Sequence, residues 1–325
     1  MNEIKSMRIH CLSTALTPIT HMMRTSGNEA IINRESVFSA GQLYDVPVLS
    51  GNAIRHVMLR ESGAYFIVKT CGLYGKLTID QSNFLFYGGS LTESAISDNL
   101  AKITALQELL PLYRLLGGDL KNQILGGSLD VSRGILVCEE NTENLEKMLP
   151  EELISELPEL RPCEDFVSGW QYTRGDATKS PELLNPTEEA TGKSNLMIYS
   201  GQHIIPGAVF YQCFTFKNIS NLELGAFAAA LDDWQAFSGI IGGSSRIGHG
   251  RLNIELYIDG VDFWGDAPDL ETSSEMYREY TRNNADRIAG WLNEEFSAKR
   301  APVKRSAKKS AQPLSDTDFF DEVPE

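Results

Sequence analysis

Gly239-Ile-Ile-Gly-Gly-Ser-Ser-Arg-Ile-Gly-His-Gly-Arg251, followed directly by Leu-Asn-Ile-Glu-Leu-Tyr-Ile258, decides how this chain of 325 residues is read. Five glycines, two arginines, two serines and a histidine stand between an apolar helical segment and a strand. Glycine lets the backbone approach a ligand closely and take positive φ. Successive N–H groups in such loops form concave anion sites, and arginine matches the geometry of phosphate. Gly243, Ser244, Ser245, Arg246, His249 and Arg251 are therefore candidate phosphate contacts. The order of elements excludes two nucleotide sites. A P-loop needs a strand, then glycines, then Lys-Ser/Thr opening a helix, and a dinucleotide fingerprint also needs a following helix. Here the helix precedes and the strand follows. A glycine turn that only packed the two together would not need the charge of Arg246, His249 and Arg251.

Outward from this loop, Asn221–Phe237 reads as a helix, with Leu224, Phe227, Ala228, Leu231 and Trp234 mostly on one face. Residues 252–258 read as a strand, 204–216 as a turn running into a buried strand, and 7–16 as a first alternating strand. Residues 17–45 hold no long periodic run and read as a polar loop carrying His21, Arg24 and Arg34; loops this long are usually functional or disordered. Ser50 is a candidate N-cap for a helix from Asn52 to Arg60. Ile54, Val57 and Met58 share its apolar face, and Arg55 and Arg60 fall off it. Residues 65–90 read as strand and turn, 95–116 as helix interrupted near Pro111, 128–138 as strand, 141–160 as acidic surface helix and 275–296 as a last amphipathic helix. Six Lys/Arg between Lys299 and Lys309 precede an acidic end, so the tail reads as disordered. Strand, helix, strands, helix, strand is the ferredoxin-like, RRM-like α+β plan, whose open sheet face is a platform for single-stranded RNA.

The net charge of −15 argues against a simple nucleic-acid coat, but it is unevenly placed. Residues 1–80 hold eight Lys/Arg and six Asp/Glu, whereas 139–165 hold ten acids against two bases and 259–295 ten against three. No run of ~18 apolar residues predicts a membrane span. The start MNEIKSMRIHCLST lacks the basic-then-apolar order of a signal peptide. Five scattered cysteines without a CxxC pair support neither a zinc knuckle nor a disulfide framework, so a reducing cytoplasm is expected. The histidines lack HxxxH or HxH spacing, and no GxSxG occurs; no cofactor or resident metal is expected. Glu29, Glu35 and Asp45 keep a metal-dependent nuclease open as a rival. Trp170, Tyr172, Arg174, Lys179 and Lys193 mix aromatics with bases. That is the recipe for holding single strands, or else an ordinary surface excursion with Trp170 folded into the core.

Four blocks, spanning roughly residues 7–258, give the chain a family resemblance: Leu16-Thr-Pro-Ile-Thr-His21; Val46-Pro-Val-Leu-Ser-Gly-Asn-Ala-Ile-Arg-His-Val-Met-Leu-Arg60; Leu115-Leu-Gly-Gly with Gly126-Gly-Ser-Leu-Asp-Val131; and Ile205-Pro-Gly-Ala-Val-Phe210 with the helix and glycine loop after it. In order and spacing they resemble the RAMP (repeat-associated mysterious protein) superfamily of CRISPR systems. Within it the chain is similar to the crRNA-binding backbone subunit, the seventh Cas family, and most like the type IV form. The resemblance implies a palm from 1–91 and 200–260, an inserted region at 92–164, a thumb hairpin at 165–199, an acidic segment with a helix at 261–297 and a tail at 298–325.

It also implies several copies along one crRNA, holding the phosphate backbone through His21, Arg24, Arg34, Ser50, Asn52, Arg55, Arg60 and the glycine loop while pairing to a complementary DNA or RNA strand reads sequence. The implied partners are the other effector subunits: a crRNA-processing endonuclease, a fifth-family-like cap, a large-subunit-like protein and a helicase. Type III relatives cut target RNA with an aspartate in the loop after the first strand. Here Gly27-Asn-Glu-Ala-Ile-Ile-Asn-Arg34 contains none, and Glu29 lies nearest that place. A binding, non-cleaving subunit is expected.

Overall fold

The computed structural model of the chain describes residues 3–26, 29–89, 100–120, 123–174, 197–259 and 269–296. In chain order its strands are β1 (Glu3–Ala15), β2 (Met22–Ser26), β3 (Glu29–Ile32), β4 (Arg34–Ser39), β5 (Gln42–Leu49), β6 (Gly118–Leu120), β7 (Gln123–Leu125), β8 (Leu129–Val131), β9 (Gly134–Leu136), β10 (Val167–Arg174), β11 (Met197–Ile204), β12 (Val209–Ser220) and β13 (Leu252–Asp259). The helices are α1 (Gly51–Ala53), α2 (Ser62–Thr70), α3 (Ile79–Ser82), α4 (Leu100–Leu109), α5 (Pro111–Leu116), α6 (Thr142–Met148), α7 (Glu151–Ile154), α8 (Asn221–Phe237), α9 (Leu270–Asn283) and α10 (Ala285–Phe296). Ile54–Glu61 and Asn83–Tyr87 are π-helical.

Four strands make the palm. β13, β1, β12 and β9 lie side by side in that order, each antiparallel to its neighbour. β12 and β13 are therefore parallel and joined through α8, while β1 and β9 are parallel and joined through the intervening helices. These are the two interleaved βαβ units of a ferredoxin-like fold, as the sequence predicts. β5 and β4 extend the sheet beyond β9, and β8 pairs with β12.

Alternation along β1 and β12 selects the core face. Met7, Ile9 and Cys11 of β1 and Phe210, Phe214 and Phe216 of β12 are buried with Ile67, Leu112 and Phe227. Phe227 of α8 meets Phe214 and Phe216 edge-on, each at 4.9 Å between ring centres. α8 starts where it does because Ser220 and Glu223 close a capping box ahead of the apolar stripe.

Leu12 and Tyr211 point to the other face, where Leu145, Leu149 and Leu153 of the α6–α7 segment cover them. This corrects the expectation of an open sheet. The acidic segment turns its leucines inward and leaves Glu143, Glu146, Glu151 and Glu152 exposed, so the middle of the palm face is not available to a single strand. Residues 17–45, expected as a loop, form β2 to β5. Residues 65–90, expected as strand and turn, carry α2, α3 and the second π-helical stretch. The last helix is two, α9 and α10. β8 and β9, within the expected insertion, lie in the palm sheet. The tail from residue 298 lies outside the described residues, among which no helix is long and apolar enough to cross a membrane.

A second sheet, ordered β10-β11-β3-β2, stands beside the palm. β10 and β11 form an antiparallel hairpin in the place of the expected thumb, and β11 runs parallel to β3. Lys179 and Lys193 fall in the stretch between these strands, outside the described residues.

Candidate nucleic-acid interface

The loop after β5 and the first helical turns open a cleft of about 740 Å³ lined by Ser50, Asn52, Arg55, Glu35, Asp130, Ser132 and Arg133. Ser50 caps the helix, its hydroxyl accepting from the Ala53 N–H at 3.2 Å. Gly51 is held against the β8–β9 connection: a Cβ there would lie 2.8 Å from the Val131 carbonyl oxygen and 3.2 Å from that of Ser132. This close approach fixes Asn52 and Arg55 on the cleft wall. Arg55 is half-buried and its buried Nε has no hydrogen-bond partner. Burial lowers its pKa, because desolvation disfavours the charged form, and among the described residues it has no ion pair. Arg133 is paired with Glu35, and Asp130 with Lys217.

His21 joins this cleft to the glycine loop. Its Nε2 accepts the Ser50 N–H at 3.1 Å, and burial lowers its pKa. One residue earlier, the Thr20 carbonyl accepts from the Gly243 N–H at 2.7 Å, and Thr20 Oγ1 lies 2.7 Å from His249 Nδ1. Gly242, at φ +81°, passes so close to Thr20 that a Cβ would lie 2.6 Å from the Thr20 carbonyl oxygen. Ser244 takes the left-handed conformation and starts a short 3-10 turn, Ser245–Ile247, which leaves Ser245 and Arg246 exposed. Arg251 is exposed too, its backbone N–H donating to Thr17 Oγ1 at 2.9 Å.

The hairpin continues the surface. Trp170 stacks on Tyr172 at 5.4 Å and Tyr172 on Tyr199 at 5.1 Å, with planes 11° and 17° apart. Alternation and cross-strand register put Trp170, Tyr172, Tyr199, Gly201 and His203 on one face. His203 then meets the ring of His249 edge-on at 5.7 Å. Burial first, and the neighbouring His249 second, lower the His203 pKa. Pairwise contacts thus link the aromatic ladder to the histidine pair, the glycine loop and, through Thr20 and His21, the arginine cleft.

Two predicted residues lie elsewhere in the chemistry. Arg34 is spoken for, donating to both oxygens of Glu164 at 2.5 and 3.2 Å and to the Asp45 carbonyl at 2.8 Å. Arg60 is only 6% exposed and donates to the Gly117 carbonyl at 2.7 Å beneath the cleft. The side chains of Arg24 and Arg174 lie outside the described residues. Glu29 is exposed on β3. Sequence reasoning missed Arg133, Tyr199 and His203. Tyr199 and His203 are legible only once the register of β10 on β11 is known, and Arg133 stands alone in a polar turn.

No family model matches the sequence, and no curated protein matches it either. Solved structures do. A chain of a structure described as "Type IV-B CRISPR Complex" superposes with a TM-score of 0.52 at 17% identity, covering 83% of this chain and 98% of that one. The two chains share a fold. The "Crystal structure of Thermofilum pendens Csc2" also matches, at 14% identity and a TM-score of 0.37, covering 88% of this chain and 76% of that one.

Proposed function

We propose that the protein is the backbone subunit of a CRISPR ribonucleoprotein, that several copies bind the phosphate backbone of one crRNA, and that it presents the guide for pairing without cutting the target. The observation that carries this reading is the contact chain from the Trp170–Tyr172–Tyr199 ladder through His203 and His249 of the glycine loop to the cleft that holds Arg55, on a fold shared with a chain of a type IV-B complex. Stacked rings accept any base, and an arginine with no ion pair among the described residues accepts any phosphate. Such a surface holds a guide whose sequence varies. With the palm face covered by α6 and α7, the guide runs along this flank.

The test is binding of a single-stranded RNA at several salt concentrations. Arg55→Ala weakens binding and flattens the log–log salt dependence by about 0.7, the value for one phosphate contact on a single strand. A protein that binds no single-stranded RNA at low salt overturns the reading. Cuts in complementary RNA with Mg²⁺, abolished by Glu29→Gln, would show a nuclease instead.

A further inference from the structure

Arg133 and Glu35 are the part of the cleft that no motif points to. Arg133 comes from the β8–β9 connection and Glu35 from β4, and their side chains form a direct ion pair on the lining that also holds Arg55. Both side chains are about half exposed, 56% for Arg133 and 40% for Glu35, so the pair can open without unpacking the core. The other lining carboxylate, Asp130, is engaged by Lys217. Among the described residues, Glu35 therefore stands against Arg133 where a phosphate would otherwise stand.

We propose that Glu35 is the resident counter-ion of Arg133, and that a single-stranded nucleic acid gains Arg133 as a phosphate contact by displacing it. This rests on the nucleic-acid reading above and adds a contact and a threshold to it. An exposed ion pair contributes little and is easily exchanged, and phosphate can take the same charge-assisted, bidentate place as the carboxylate, so the rest of the bound strand drives the exchange. Glu35 thereby disfavours weak anions and yields to a polyanion held elsewhere by Arg55 and the glycine loop.

The exchange has a signature in salt. Affinity falls with salt because each phosphate that a protein cation neutralises releases the cation condensed on it. At Arg133 the displaced Glu35 carboxylate is left needing a cation just as the phosphate gives one up, so this contact adds affinity with little added salt dependence. Glu35→Gln removes that carboxylate, so the Arg133–phosphate contact releases its cation without an offset and binding becomes both tighter and steeper in salt. Arg133→Gln does the reverse of an ordinary contact: affinity falls while the slope stays at the wild-type value.

Binding of an unstructured 20-nucleotide RNA and elution from immobilised heparin are measured for wild type, Glu35→Gln, Arg133→Gln and the double variant, with thermal unfolding as the check on folding. The expected result is a several-fold gain in RNA affinity for Glu35→Gln and a slope steeper by about 0.7. Heparin elution should come at higher salt, and the double variant should show no gain. Equal slopes for Glu35→Gln and wild type on both polyanions overturn the inference, as does an Arg133→Gln variant whose slope flattens like that of Arg55→Ala. A heparin shift without any RNA binding leaves the counter-ion in place and removes the crRNA reading.

Discussion

Arg55 and Arg60 stand five residues apart, and the helix they share separates their chemistry. On an ordinary α-helix both fall off the apolar stripe. Ile54–Glu61 is instead π-helical, with i→i+5 bonding that changes which side chains share a face. Arg60 is turned inward: it donates to Gly117, lies 5.7 Å over the Tyr113 ring and abuts Gly88. Burial lowers its pKa. The placement of Ser50, Asn52 and Arg55 at the helix start was legible in the sequence because a capping serine fixes that start, and they stand ahead of or early in the π turn. Arg60 was not, because a wider turn leaves no mark in residue spacing. His21 carries a prediction at this scale. Its Nε2 accepts from Ser50, so only the neutral ring fits, and burial holds its pKa below the usual 6.5. The unfolded chain therefore binds a proton first as pH falls. Stability is fully present above about pH 6.5 and is lost as pH falls through the lowered folded value. His21→Gln keeps an acceptor for the Ser50 N–H but does not titrate. Thermal unfolding between pH 7.5 and 5 is expected to show a smaller loss of Tm for this variant than for wild type, and an equal loss would remove His21 as a source of the pH dependence.

At the scale of elements, the sequence was legible wherever a single period and a cap agreed. α8 runs over the predicted residues because its stripe and its Ser220–Glu223 box coincide. β2 to β5 were missed because they are short and paired in hairpins. β4, at the edge of its sheet, leaves Ser36 and Phe38 exposed, so its alternation is faint. α2 was missed because β-branched and aromatic residues such as Phe66, Ile67 and Val68 favour strands, and burial against the palm overrides that preference. The hairpin β10–β11 depends on a glycine that no spacing singles out. Gly201 faces Trp170, and a Cβ would lie 2.7 Å from the indole and 2.8 Å from the Ala30 carbonyl oxygen. Gly201→Ala must push the indole off its ladder or part β11 from β3. Overpacking of this kind costs about 1–3 kcal/mol, and the variant is expected to lose RNA affinity together with the Trp–Tyr signal in near-ultraviolet circular dichroism. Gly169, on the opposite face, would place its Cβ no nearer than 3.7 Å to the Gly201 carbonyl oxygen, so Gly169→Ala is the control that should leave both unchanged. Equal effects of the two substitutions would show that the ladder is not what Gly201 protects.

The whole molecule sets charge against function, and the fold reduces the conflict without removing it. A chain of net charge −15 repels nucleic acid at long range, so attraction must come from cations close to the strand. The fold supplies this by spending one acidic segment as the cover of the palm's second face, its glutamates exposed on α6 and α7, and by leaving Arg55, Arg246 and Arg251 along the flank described above. On the proposed reading a single subunit offers few such contacts and is expected to bind weakly. Copies laid side by side on one strand add contacts with each protomer, and an assembly of this kind is cooperative and strongly dependent on salt. Mass measurements on complexes with RNAs of increasing length are therefore expected to rise in steps of one 36.0 kDa subunit, with partly occupied strands under-represented at low salt. Raising the salt should dismantle the array over a narrow range, because losing one protomer also removes its neighbours' contacts. One bound subunit at every RNA length would mean that the flank holds a short, isolated site, and the backbone reading would then have to be abandoned even if RNA binding itself were strong.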